Sequence, residues 1–212
     1  MLNTSSLLEV IKLKFSSPDS NNSQLVTNLD YSSDFDLSPK NQHKLKGQFG
    51  KIAAVFLLLR ENQGEVQVIF TRRSRNLSSH PGQISFPGGI VEPEDSSILN
   101  AGLREVKEEI GLDKKKIQTL GILRPHETLS KFLIYPFVGI IDSASEFKMN
   151  ISEVTEIFEV PLGFLLNRKN MSEHRIQKNK KYAGYYAVPY GPYYIWGATA
   201  RIIKSFVERF HG

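Results

Sequence analysis

The sequence predicts an α+β domain in which a mixed β-sheet lies between helices. Three observations carry that expectation. Aliphatic runs of strand length occur at Ile52 to Leu59, Glu65 to Thr71, Ile117 to Leu123 and Phe132 to Ile141. Two segments, Ser96 to Ile110 and Ala198 to Phe210, place apolar residues at helical spacing. The order is strands, helix, strands, helix, which suits one sheet flanked by helices. With 212 residues, 40% of them hydrophobic and 23% charged, the chain can bury one large core, and the composition excludes wholesale disorder or a fibrous repeat.

Taken in order, Leu7 to Phe15 is apolar at helical spacing, and Ser16 to Gln42 is a Ser-, Asn- and Asp-rich arm. Residues 1–45 are therefore expected to form an N-terminal helix and polar arm, and residues 46–212 the main domain. Ile52 to Leu59 and Glu65 to Thr71 form a hairpin across the polar turn Glu61 to Gly64. A loop punctuated by Gly and Pro runs from Ser74 to Gly89. The helix Ser96 to Ile110 can be capped by Asp95, and Gly111 can end it in the left-handed conformation. After the strands Ile117 to Leu123 and Phe132 to Ile141 come a short strand at Ile157 to Val160, a helical turn at Leu162 to Leu166 and a hairpin at Arg175 to Val188. Ile202, Ile203, Phe206, Val207 and Phe210 mark an amphipathic closing helix.

Composition narrows the chemistry. With Cys at 0, disulfides, thiolate metal sites and cysteine nucleophiles are excluded. No apolar run approaches membrane-spanning length and the N-terminus lacks signal-peptide order, so a cytoplasmic location is expected and no membrane partner. A net charge of +5 favours an anionic partner. The basic residues are scattered apart from Lys114 to Lys116 and the Lys178, Lys180, Lys181 group, so nucleic acid is not the expected ligand. Gly47 to Ile52 looks like half a P-loop, but Leu45 and Ile52 stand where Gly and Ser/Thr are needed. The histidines lack zinc-site spacing, and no Gly-x-Ser-x-Gly elbow occurs. Tyr182, Tyr185, Tyr186, Tyr190, Tyr193, Tyr194 and Trp196 form an aromatic stretch suited to packing or to stacking a base.

On the helix Ser96 to Ile110, Leu99, Leu103, Val106 and Ile110 share the inward face, while Glu105, Glu108 and Glu109 converge on another arc. Like charges at this spacing disfavour a helix, and a hard cation such as Mg²⁺ or Mn²⁺ would reverse that effect. Arg104, one turn before Glu108, can hold it in place.

Around this helix the sequence reads Phe86-Pro87-Gly88-Gly89, Asp95, then Arg104-Glu105-Val106-Lys107-Glu108-Glu109-Ile110-Gly111-Leu112. It resembles the Nudix box, the loop-helix-loop motif of pyrophosphate hydrolases, and so implies the Nudix fold. Asp95 stands where the first Glu is usual, one residue further from Arg104, as in the coenzyme A pyrophosphatase branch of the family. Thr71, Arg73, Ser74, Gly82 and Phe86 to Gly89 resemble that branch's upstream signature. So do Leu120-Gly121, Tyr135 to Gly139, Glu153-Val154, Val160 to Leu162 and Ile195 to Arg201. Ser78 departs from it, occupying the place of a usual arginine. The resemblance covers roughly Lys51 to Phe210.

The resemblance implies hydrolysis of coenzyme A or a derivative to 4'-phosphopantetheine and adenosine 3',5'-bisphosphate, with Mg²⁺ or Mn²⁺ held by the Gly88 carbonyl, Glu105, Glu108 and Glu109. Glu105 is the first candidate for the proton acceptor and Glu153 the second, with Arg104 and Glu108 completing the catalytic set. Gly89 lets backbone approach substrate, and Arg72, Arg73 or Arg75 is expected to meet a phosphate in place of residue 78. His80 precedes the box and is a further substrate-contact candidate. Asp95 is left between capping and a box role. A Nudix hydrolase of ADP-ribose or another nucleoside diphosphate derivative, and a non-catalytic module binding nucleotide or RNA, are the alternative readings. Related proteins often dimerise, so a homodimer is among the assemblies implied.

Overall fold

The computed structural model describes residues 4–15, 31–37, 50–178 and 181–212, the side chains of residues 35, 176–178 and 181–183 excepted. Most of the arm Ser16 to Gln42, the start of the P-loop-like run, Lys180 and the side chains of Lys178, Lys181 and Tyr182 lie outside that description. The first apolar segment is helix α1 (Thr4–Phe15), whose Ile11 and Phe15 are fully buried in the main core. The Phe15 ring stacks on Phe206 with centroids 4.6 Å apart. A two-residue strand, β1 (Ser32–Ser33), and a 3₁₀ turn at Asp34–Leu37 follow.

Strands β2 (Lys51–Asn62) and β3 (Glu65–Arg73) form the expected hairpin, both longer than their apolar runs. Pairing continues through Glu61 opposite Val66 and Asn62 opposite Glu65, so the turn shrinks to Gln63 and Gly64, both at positive φ. The segment expected as a loop holds two short strands, β4 (Ile84–Ser85) and β5 (Gly88–Ile90). A Gly-Gly pair carries no strand preference, and β5 exists because β2 supplies its hydrogen-bonding edge. Helix α2 (Ile98–Ile110) comes next, then β6 (Ile117–Ile122), β7 (His126–Glu127) and β8 (Phe132–Ile141). β9 (Val154–Pro161) is twice the expected length, because its polar first half pairs along β3. After the helical turn α3 (Leu162–Leu166), the expected hairpin is β10 (Ser172–Lys178) and β11 (Lys181–Tyr190). A third strand, β12 (Tyr193–Trp196), joins it before the closing helix α4 (Ala198–His211).

The large sheet runs β1-β7-β8-β2-β3-β4, with β5 on β2, β6 on β8 and β9 on β3. β2 and β8 are parallel, as are β1 and β7, and the remaining pairs are antiparallel, so the sheet is mixed as expected. Both faces are covered. Along β2, Leu57 and Leu59 face a core shared with α1, α3 and α4, and Ala54, Phe56 and Leu58 face the core shared with α2. This is why β2 reads as a continuous apolar run rather than an alternating one. The α+β architecture with its sheet between helices follows.

Candidate active site

The segment from β5 to α2 gathers most of the motif residues. Ser97, not Asp95, caps α2: its side chain accepts the Asn100 amide at 3.1 Å. Asp95 instead accepts from Arg104 Nε and Nη2, each at 3.0 Å, and from the Glu92 amide. The Arg104 guanidinium beside it holds the Asp95 carboxyl below the usual range. At the other end Gly111 adopts φ +71° and donates its amide to the Lys107 carbonyl, the left-handed ending that the sequence predicts.

Arg104 is the hub of the site. It also donates to Glu105 Oε1 at 3.0 Å, Glu108 Oε2 at 2.8 Å and the Ile90 carbonyl at 3.1 Å, tying helix to loop. The three helical acids differ in burial across their arc. Glu108 is half exposed on Arg104, whereas Glu109 is only 2% exposed. The acidic arc is therefore partly an inward face: Val106 and Ile110 are buried with Glu109, while Leu99 and Leu103 are only partly buried. Among the described residues, no three His, Asp or Glu side chains stand grouped so as to hold a metal ion.

Glu109 is held from above by β5 and β3. Its Oε2 accepts the Gly88 amide at 3.1 Å, and Arg73 Nη1 lies 3.5 Å from Oε1. Burial pushes its carboxyl up to about 8, against the pull of Gly88 and Arg73. Burial likewise raises Glu105, Arg104 opposes, and the charges of Glu108 and Glu153 add to the rise. Gly88 sits at φ +147° against β2, where a β-carbon would fall 2.2 Å from the Ala54 carbonyl oxygen. Only glycine permits this approach. Glu153 reaches the site because the amides of Lys148 and Asn150 satisfy the last carbonyls of α2, Ile110 and Glu109, and Asn150 Nδ2 then donates to Glu153 Oε1 at 3.2 Å.

A cavity of about 430 Å³ opens beside Gly88 and Gly89. Its walls are mostly apolar, including Val55, Phe86, Phe132, Ile134 and Ile202, with Arg73, His80 and Trp196 among the polar or aromatic liners. The arginines separate by strand alternation. Arg73 lines the cavity, whereas Arg72, on the opposite side of β3, pairs with Glu156 at 2.8 Å and lies over the Tyr193 ring. Arg75 is exposed and outside the lining, so of the three expected phosphate-binding arginines the structure brings only Arg73 to the cavity. His80 is exposed at its edge and bonds Gln83 at 3.0 Å. The aromatic stretch divides too: Tyr186, Tyr190 and Tyr193 pack on the core, while Tyr194 and Trp196 are exposed. Asp34 and Leu129 also line the cavity and carry no sequence signal, because neither belongs to a motif or an apolar period.

Residues 50–175 match the NUDIX domain. This chain belongs to the Nudix family. It is a Nudix hydrolase of pyrophosphate substrates. The chain is 36% identical over 142 residues to the uncharacterized Nudix hydrolase NudL of Photorhabdus laumondii, covering 67% of this chain and 76% of that one. It is 31% identical over 169 residues to NudL of an Enterobacter species, covering 80% and 86%. Among solved structures, the Nudix domain of Shewanella oneidensis NrtR, complexed with ADP ribose, shares the fold. Its TM-score is 0.50 at 16% identity, covering 77% of this chain and 89% of that one. Nudix hydrolases generally use divalent metal ions. No helix among the described residues is long and apolar enough to cross a membrane.

Proposed function

We propose that this Nudix hydrolase cleaves the diphosphate of coenzyme A or a coenzyme A derivative, releasing 4'-phosphopantetheine and adenosine 3',5'-bisphosphate. The observation that carries the reading is the apolar cavity that begins at Gly88, Gly89 and Arg73 of the branch-like upstream segment. A diphosphate seated at the acidic helix would leave one substituent in that chamber, and a pantetheine arm offers more apolar surface than a second ribose.

The donor set suits Mg²⁺ or Mn²⁺. Glu105 and Glu109 are carboxylates held above their ordinary range chiefly by burial, with the charges of Glu108 and Glu153 adding to the rise at Glu105 and those of Glu105 and Glu153 at Glu109, a state a divalent cation would relieve. Glu105, Glu109 and the Gly88 carbonyl would hold the metal, with Glu108, seated on Arg104, at the edge of the set; when bound the metal would neutralise diphosphate charge and lower the pKa of a coordinated water. Arg104 fixes Glu105 and Glu108 against Asp95 and the Ile90 carbonyl. Glu105 accepts the proton of the attacking water, and the burial that raises its carboxyl makes it a stronger base than an exposed glutamate. Arg73 places positive charge at the cavity entrance, where a substrate phosphate would sit.

The test is product chromatography after incubation with Mg²⁺ or Mn²⁺ and coenzyme A, dephospho-coenzyme A or ADP-ribose. The 3'-phosphate should matter, with kcat/KM for coenzyme A exceeding that for dephospho-coenzyme A by about tenfold to a hundredfold. Ser78→Arg should widen the gap. Faster cleavage of ADP-ribose than of either would assign the enzyme to nucleoside diphosphate derivatives, and binding without turnover would make it a recognition module.

A further inference from the structure

The cavity lining includes a residue from a segment outside the matched family domain, since Asp34 lines it and precedes residue 50. The segment is docked through β1, which pairs in parallel with β7, Ser32 opposite His126 and Ser33 opposite Glu127. The His126 ring is 1% exposed and meets this segment at both nitrogens. Its Nδ1 lies 2.9 Å from Ser32 Oγ and its Nε2 2.9 Å from Asp34 Oδ1. The second oxygen of Asp34 accepts the Leu129 amide at 3.0 Å. One carboxylate thus ties a buried ring to the turn that follows it. That turn, Thr128 to Ser130, also lines the cavity, and Leu129 is held there 52% exposed. A large apolar side chain left half in water at the edge of an apolar chamber is suited to contact a ligand.

We propose that Asp34 is a positioning residue of the substrate cavity: latched to His126, it fixes the Thr128 to Ser130 turn so that Leu129 contacts the apolar part of the bound diphosphate substrate. This rests on the reading of the cavity as the substrate site. Asp34 acts through the turn and touches no reacting atom. The hydrogen-bonding pattern predicts that asparagine can replace it. In Asp34→Asn the side-chain amide oxygen would accept the Leu129 amide, and the NH₂ would donate to His126 Nε2 once the ring carries its proton on Nδ1. Ser32 Oγ would then accept from Nδ1 and turn its own proton toward the Pro125 carbonyl, 3.4 Å away.

The experiment compares wild type, Asp34→Ala and Asp34→Asn by steady-state kinetics on coenzyme A with Mg²⁺, and by amide exchange over residues 126–132 without substrate. Asp34→Ala should raise KM about tenfold with kcat within about twofold and speed exchange at the Leu129 amide, while Asp34→Asn stays within about twofold of wild type in each. Unchanged exchange in Asp34→Ala overturns the latch whatever the substrate proves to be. Faster exchange with unchanged KM overturns the link from turn to substrate. Equal impairment of both variants would show that charge, not the latch, matters. If wild type leaves coenzyme A intact, the substrate assignment fails separately, and the kinetic arm is read on dephospho-coenzyme A or ADP-ribose, with acrylamide quenching of Trp196, the sole tryptophan and a cavity liner, as the readout that needs no turnover.

Discussion

Glu105 occupies the space that a side chain at Gly89 would need: a β-carbon there would fall 2.3 Å from the Glu105 carboxyl carbon and 2.5 Å from each of its oxygens. The obstacle is the end of a flexible side chain, so the fold can yield while the carboxylate moves off its position. Gly89→Ala should lower kcat about a hundredfold, the scale of losing a general base, with little change in thermal midpoint. A variant that keeps full kcat would show that the placement of Glu105 is not needed.

Glu109 should couple metal, pH and stability. Its folded-state pKa of about 8 exceeds the ordinary 4.5, so in chelator its contribution to stability is fully present below pH 4.5 and is lost as pH rises through 8. Melting curves of the metal-free protein should fall across that window, and Glu109→Gln should flatten the fall. Mg²⁺ at pH 8 should raise the wild-type midpoint more than the variant's. Turnover by Glu109→Gln should drop about a hundredfold, as for loss of a charge-stabilising group. Identical pH profiles in chelator would argue against a buried, strained carboxyl.

Asp95 and Ser97 divide two roles that their positions in the sequence leave merged. Ser97→Ala should cost about 1 kcal/mol of stability, the usual loss for an N-cap, and leave kcat near wild type. Asp95→Ala should lower kcat about tenfold or more, because Arg104 loses its bidentate anchor and with it the fixed geometry of Glu105. Denaturation and kinetics on the same two proteins decide the matter, and a reversed pattern would return the cap to Asp95.

Arg72 and Arg73 should behave as opposites despite being neighbours. Arg73→Ala should raise KM for a diphosphate substrate about tenfold, consistent with loss of one charged hydrogen bond. Arg72→Ala should leave KM near wild type and loosen the β9 to β12 contact, where Glu156 also accepts from Tyr193 at 2.6 Å. A matched rise of KM in both variants would place Arg72 at the substrate after all.

By itself the sequence determined the elements whose signals are local. The apolar run of β2, the periodicity of α2 and α4 and the Gly111 ending are all legible because each depends on neighbours within a few residues. The acidic cluster Glu105, Glu108 and Glu109 is legible from its helical spacing, while the box as a whole is legible only through its resemblance to the Nudix family. Tertiary structure decided the rest. Glu109 is buried because β5 lies over that face of α2, and β5 itself exists only where β2 offers an edge to a Gly-Gly pair. Arg73 rather than Arg72 meets the cavity because the register of β3 sets which side each faces. Asp34 reaches the cavity through a ring 92 positions away, a contact that no local period can announce, because only the packed sheet brings β1 beside β7.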